Sequence, residues 1–306
     1  MQIGLVGLGK MGGNMRERIR RAGHTVVGYD VNPELSDVGS LEQMVAQLTE
    51  GPKVVWVMLP TKVVEETIIT LADLLGPGDI VIDGGNSPWN KDAAHAELMA
   101  SKDVGFLDVG VSGGVWGLDN GYALMVGGEA KDVAVVQPIF DALKPEGEHG
   151  FVHAGKHGAG HFAKMVHNGI EYAVMQAYAE GWELLEAAEI VEDVPATFES
   201  WKEGTVIRSW LLDLMVDALH KDPHLDKIDD IAEDSGEGRW TVTAAVDMGV
   251  PVPTIAASLF ARFVSQQEEK PAMKMIAAMR NEFGGHGVVA AQPDGTLPAR
   301  EGGNPA

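Results

Sequence analysis

The chain opens with a pattern that few folds accommodate. Gln2-Ile3-Gly4-Leu5-Val6 is a short apolar run, and Gly7-Leu8-Gly9-Lys10-Met11-Gly12 follows without a gap. A helical pattern then runs to about Ala22, and Thr25-Val26-Val27-Gly28-Tyr29 reads as a second strand that ends at Asp30. Strand, Gly-x-Gly-x-x-Gly, helix, strand and acid in this order predict a dinucleotide-binding βαβ unit. The first glycine permits the tight turn, the second lets backbone approach a pyrophosphate, and the third lets helix and strand pack closely. The helix N-terminus offers free N–H groups and partial positive charge to the phosphates. Gly7, Leu8, Gly9, Met11 and Gly12 are therefore candidate cofactor contacts. Asp30 is placed to accept hydrogen bonds from ribose hydroxyls and to repel a 2′-phosphate. Because Val31-Asn32-Pro33 supplies no basic residue, NAD is favoured over NADP. Asp30 also suits the start of the turn at Asn32-Pro33, and the two roles are compatible.

Further strands and helices alternate. Lys53 to Leu59 is a buried-type strand stopped by Pro60, and residues 62–75 have helical periodicity. Asp79 to Asp83 is a strand leading into Gly84-Gly85-Asn86-Ser87. Residues 90–101 read as helix, Gly105 to Val109 as strand, Tyr122 to Val126 as strand and 131–143 as helix. The alternation implies a parallel, doubly wound sheet with ligands at the carboxyl ends of its strands. Leu59, Pro60 and Asn86 lie past such ends and are further candidate cofactor contacts, and Ser112-Gly113-Gly114 lies past another. After about Gly158 strand signals nearly vanish. The fold class is thus an α/β Rossmann-type domain followed by an all-helical one. The expected division is 1–158 for cofactor binding, 159–286 for substrate binding and dimerisation, and 287–306 as a Gly- and Pro-rich tail of low order.

The helical part begins with Lys164-Met165-Val166-His167-Asn168-Gly169-Ile170-Glu171-Tyr172. In a Pro-free helix over roughly 160–190, Lys164, His167, Asn168, Glu171 and Tyr172 share one face. That face carries a base, an acid, an imidazole, an amide and a phenol. A solvated polar stripe reads the same way in isolation, but the dinucleotide motif upstream favours a reacting surface.

Composition excludes several alternatives. The chain has 306 residues and no cysteine, so disulfides, thiolate catalysis and cysteine-bound metals are excluded. No basic segment precedes the first apolar run and no apolar run approaches a membrane span, so a cytoplasmic protein is expected. A formal net charge of −22 argues against nucleic acid and anionic membranes as partners, and requires any anion site to gather its cations locally. His149, His153, His157 and His161 recur every four residues, but Gly150, Gly155, Gly158 and Gly160 interrupt them, and no metal site is expected from that run. Trp116, beside the Ser112 loop, is the one tryptophan placed to meet a ligand.

Taken together, Gly7–Gly12, Asp83-Gly84-Gly85-Asn86-Ser87, Gly110–Gly114, Lys164–Tyr172, Phe260-Ala261-Arg262 and Arg280–His286 resemble the decarboxylating 6-phosphogluconate dehydrogenases. The resemblance runs from Gly7 to His286 and is nearest to the short form with a single helical unit. Lys164 with Asn168 alone would fit the wider β-hydroxyacid dehydrogenase superfamily. The resemblance implies Lys164 and Glu171 as catalytic base and acid, and needs no metal. It implies Asn86, Ser112, Gly113, Gly114, His167 and Asn168 around the substrate carboxylate and hydroxyls, and Tyr172, Arg262 and Arg280 around its phosphate. His286 is implied as a further substrate contact. Arg280 and His286 would come from a partner subunit of a homodimer or dimer of dimers. One turn departs from the pattern: Ser235-Gly236-Glu237-Gly238-Arg239-Trp240 has Ser235 where the longer relatives have a lysine, and Glu237 adds negative charge. A dehydrogenase for a different small hydroxy acid, or a non-catalytic NAD-binding sensor, are the rival readings. The phosphate set and the paired Lys164 and Glu171 count against them.

Overall fold

A computed structural model of the chain describes residues 1–285 and 287–289. The first half alternates β1 (Gln2–Val6), α1 (Lys10–Arg21), β2 (Thr25–Tyr29), α2 (Leu41–Gln47), β3 (Val54–Val57), α3 (Thr61–Leu74), β4 (Ile80–Asp83), α4 (Asp92–Ala100), β5 (Gly105–Ser112), α5 (Gly117–Asn120), β6 (Ala123–Gly128), α6 (Ala130–Leu143) and β7 (Phe151–Gly155). The strands form one seven-stranded sheet in the order β2-β1-β3-β4-β5-β6-β7. Strands buried on both faces read as continuous apolar runs, and Val54–Val57 and Ile80–Asp83 are buried throughout.

Pairing is parallel from β2 across to β5, as the alternation predicts, but β6 runs antiparallel to β5. The cause is the connection. Only residues 113–122 join these strands, and a parallel crossover needs about a dozen or more residues with a packing helix. The longer α6 connection restores parallel pairing between β6 and β7.

Two apolar layers clamp the sheet. One gathers Met15 and Ile19 of α1 and Val136, Ile139 and Phe140 of α6 against Ile3, Leu5, Trp56 and Ile82. The other gathers Met44 of α2, Ile68 and Leu71 of α3 and Met99 of α4 against Val55, Val57 and Val81.

The second half is helical: α7 (Ala159–Glu186), α8 (Val194–Ser200), α9 (Trp210–Lys221), α10 (Glu237–Met248), α11 (Pro253–Ser265) and α12 (Pro271–Gly284). The long α7 lies across β5 and β6, with α10 and α11 against its other side. Its start is fixed by one buried carboxylate. Asp108 Oδ1 accepts from Gly158 N (2.7 Å), and its Oδ2 accepts from Gly160 N (2.8 Å) and His161 N (3.0 Å). A carboxylate on the first N–H groups of a helix satisfies donors that otherwise have no partner. A small core of Val194, Phe198, Leu212, Val216 and Leu219 holds α8 and α9 together. Among the described residues no helix is long and apolar enough to cross a membrane. The Gly- and Pro-rich tail, apart from residues 287–289, lies outside the described residues, as does His286.

Candidate active site

A cleft of about 530 Å³ opens at the carboxyl ends of β1, β3, β4 and β5. It is lined by Gly7, Gly9, Met11, Gly12, Asp30, Leu59, Pro60 and Asn86, all expected from the sequence, and reaches Lys164 on α7. The glycine turn has the geometry a pyrophosphate needs. Gly7 has φ +89°, and a Cβ at Gly12 would lie 1.9 Å from Gly7 O, so only glycine lets α1 start so close to β1. Gly9, by contrast, faces open space, and no side chain caps α1. Its first N–H groups are thus free for an anion. The residues present fit a dinucleotide.

Two cofactor positions carry more detail than the sequence gave. Asp30 Oδ2 accepts from Leu8 N at 2.6 Å and Oδ1 accepts from Asn32 N at 2.8 Å. Asp30 therefore organises both the glycine turn and its own, while still lining the cleft. Leu8 departs from the expectation. Its side chain is buried in the core and its N–H is engaged by Asp30, so it supports the turn from behind. Lys10, Val31, Met58, Gly84, Gly85, Val111 and Glu237 also line the cleft and were not foreseen as site residues. Most follow from the strand-end rule, being neighbours of residues that were; Glu237 does not.

Lys164, His167 and Asn168 of the stripe on α7 form one hydrogen-bonded set, and Tyr172 belongs to a separate one. Lys164 Nζ donates to Asn168 Oδ1 at 2.7 Å, and His167 Nδ1 lies 3.0 Å from the same oxygen, to which it donates. His167 also stands 3.8 Å from Glu171. Asn168 Nδ2 donates to Glu237 Oε1 at 3.0 Å. Tyr172 Oη lies 2.8 Å from Ser235 Oγ and accepts from Ser235 N at 3.2 Å. The Arg262 guanidinium stacks over the Tyr172 ring, 3.5 Å from its centre. This is not a solvated stripe: Asn168 and Tyr172 are buried, and burial pushes the Lys164 ammonium below its ordinary range, although Glu237 and Glu171 oppose that shift. The close approach of Lys164 to the sheet rests on a glycine. A Cβ on Gly110 would meet Lys164 Cβ at 2.3 Å.

The remaining expected residues are more dispersed. Ser112, at the end of β5, and Gly113 and Gly114 beyond it lie on the loop toward Trp116, which is 55% exposed, and none of these lines the cleft itself. Arg239 turns from Ser235 to pair with Asp234 at 2.9 Å. Arg280 is exposed on α12 and does not line the cleft of its own chain. The four spaced histidines do not converge. His153 Nε2 binds carbonyls of Gly128 and Gly155 at the sheet edge, whereas His161 is buried on α7. His161 Nδ1 sits 2.9 Å from Asp92 Oδ2, with Asp83 close by in a group compact enough to reach one cation. Burial alone would lower the His161 imidazole, but the hydrogen bond to Asp92 and the charges of Asp83, Asp92 and Asp108 push it up to about 9. Burial pushes the Asp92 carboxyl up to about 7 against the pull of His161.

A Rossmann-type sheet whose cleft reaches a half-buried lysine on the first long helix of an all-helical domain defines a two-part dinucleotide-binding architecture. Within it, residues 2–149 match the NAD binding domain of 6-phosphogluconate dehydrogenase and residues 160–282 match the 6-phosphogluconate dehydrogenase C-terminal domain. The chain belongs to the 6-phosphogluconate dehydrogenase family. It is 41% identical over 295 residues to YqeC of Bacillus subtilis, which bears the family name only provisionally, covering 94% of this chain and 98% of that one. It is 38% identical over 299 residues to the NAD(+)-dependent, decarboxylating 6-phosphogluconate dehydrogenase of Haloferax volcanii, with the same coverage. The solved 6-phosphogluconate dehydrogenase of Plasmodium falciparum superposes with a TM-score of 0.80 at 28% identity, over 96% of this chain and 67% of that one.

Proposed function

We propose that the protein oxidises and decarboxylates 6-phosphogluconate to ribulose 5-phosphate and CO2 with NAD as acceptor, in the cytoplasm. The observation that carries this reading is the half-buried Lys164, which lines the dinucleotide cleft and is hydrogen-bonded to Asn168. Membership of the family and the NAD-dependent relative support the reaction and the cofactor. Gly7, Gly9, Met11, Gly12, Asp30, Leu59, Pro60 and Asn86 line the cleft and would hold the cofactor, which would supply a hydride acceptor.

Lys164 Nζ takes the proton of the substrate's C3 hydroxyl. It can do so because burial lowers its affinity for a proton. The β-keto acid so formed loses CO2 readily once its carbonyl oxygen is protonated, and Lys164, now charged, returns a proton there. The enediol becomes the ketone when Glu171 supplies a proton to C1 and Lys164, neutral again, takes back the proton of the C2 hydroxyl. Asn86, Ser112, Gly113, Gly114, His167 and Asn168 orient the carboxylate and hydroxyls. Tyr172 and Arg262, already stacked together, bind the phosphate.

The site is completed by a second copy of the chain, which brings Arg280 and His286. Beyond Tyr172 no residue of α7 is buried, and Met175, Tyr178 and Trp182 line an open apolar groove with Leu214 and Met215. Met273, Met275, Ile276 and Met279 are exposed on α12 as well. A helix apolar on most of its sides is covered on most of them in the working assembly.

The test is to mix the protein with NAD and 6-phosphogluconate and follow absorbance of the reduced cofactor and release of CO2. Lys164→Met is expected to abolish cofactor reduction. Glu171→Gln is expected chiefly to slow release of ribulose 5-phosphate, by roughly 10²–10⁴-fold. Near-normal reduction by Lys164→Met would refute the assignment.

A further inference from the structure

Glu237, which opens α10, is among the described residues the one ionisable side chain outside the roles assigned above that enters the hydrogen-bond set of Lys164. It is 6% exposed and lines the cleft beside the lysine. Its Oε1 accepts from Asn168 Nδ2, while Asn168 Oδ1 accepts from Lys164 and His167. An ionised carboxylate can only accept and an ammonium can only donate, so these two neighbours hold the amide in one of its two orientations. With Glu237 removed, the amide NH2 loses its acceptor, and the side chain that receives Lys164 loses its anchor on α10. The other oxygen, Oε2, is buried with no hydrogen-bond partner among the described residues. A buried carboxylate left half-paired costs stability, so packing does not account for a glutamate here. The ionisable groups around Lys164 are His167 and Glu171 from α7 and Glu237 from α10, while the strand beneath contributes Gly110.

We propose that Glu237 is a positioning residue for the reaction: through its hydrogen bond to Asn168 it holds the amide that aims Lys164 Nζ at the substrate hydroxyl. The proposal rests on Lys164 being the base in the reading above. Of the two carboxylates that act on Lys164, Glu237 has the larger effect and Glu171 the smaller. Removing its charge should leave burial less opposed and make the lysine neutral at lower pH.

The experiment uses the full chain labelled with ¹³Cε-lysine, the Lys164 signal being identified by its loss in Lys164→Met. Glu237→Gln keeps the size and an oxygen for Asn168 but removes the charge. Its Lys164 titration midpoint is expected to fall, raising the fraction of neutral lysine at a given pH. The rising limb of kcat/KM should move the same way. Glu237→Ala removes the anchor too, and kcat is expected to fall on the order of 100-fold with KM for NAD unchanged. An unmoved midpoint in Glu237→Gln, or kcat within twofold of the unmutated protein in Glu237→Ala, overturns the proposal. If Glu237→Ala does not fold, the Gln variant decides alone. If the unmutated protein fails to turn over 6-phosphogluconate, the functional reading falls, while the titration still reports whether Glu237 governs Lys164.

Discussion

Gly110→Ala is the substitution whose consequence can be worked furthest from the geometry. The added Cβ would stand 2.3 Å from Lys164 Cβ and 2.8 Å from Gly160 O. Neither atom is the tip of a flexible side chain: one is bonded to the backbone of α7 and the other belongs to it. Non-bonded carbons rest at roughly 3.5–4.0 Å, so α7 must retreat from β5 by about 1 Å or more. Over-packing of this kind costs roughly 1–3 kcal/mol. A catalytic group displaced by about 1 Å loses on the order of 100-fold in rate. Gly110→Ala should therefore lower both kcat/KM for 6-phosphogluconate and the melting temperature. KM for NAD should stay near that of the unmutated protein, because the glycine turn after β1 is untouched. Gly76→Ala is the control, since a Cβ there meets nothing within 4 Å. Steady-state kinetics and thermal melts of the two variants decide the matter. A Gly110→Ala protein with kcat/KM within twofold of the unmutated one would refute the claim that Lys164 is placed by this contact.

Three further outcomes are expected. NAD should support faster turnover than NADP, and Asp30→Ser with Val31→Arg should shift the preference toward NADP; equal turnover with both cofactors in the unmutated protein would contradict the reading of Asp30. Mixing inactive Lys164→Met and inactive Arg280→Ala chains under exchange should restore part of the activity, because one site of a mixed dimer carries both lesions and the other neither; verified exchange without activity rules out shared sites. Stability should fall as pH rises from the ordinary histidine value of 6.5 toward about 9, since folded His161 keeps a proton that the unfolded chain has released. Urea midpoints across that range check this, and Asp92→Asn, which removes the charge and leaves only a weaker neutral acceptor for that proton, should flatten the slope.

Much of this protein was legible in its sequence because the signals are local. The run from Gln2 to Asp30 specifies strand, turn, helix and strand through apolar runs and glycine spacing, and α1 and β2 fall where that spacing puts them. The stripe from Lys164 to Tyr172 follows from 3.6 residues per turn alone, and the helix brings Lys164, His167 and Asn168 into one hydrogen-bonded set. Covalent geometry fixes such relations wherever the segment ends up in space.

Tertiary structure alone decided what those side chains meet. Whether Lys164 was a solvated charge or a half-buried one depended on α7 lying against Gly110, a packing contact between distant segments. Glu237, 69 residues beyond Asn168, came to the site only because α10 packs on α7. In the sequence it read as a stray negative charge in a glycine turn. Arg239 was free to point toward Ser235 or away until Asp234 claimed it, and Leu8 was a cofactor contact until the core took its side chain. The antiparallel β6 was set by too short a crossover, a limit that acts only once β5 has neighbours. Periodicity is a property of the chain, whereas burial, partner choice and proton affinity belong to the surfaces that folding brings together.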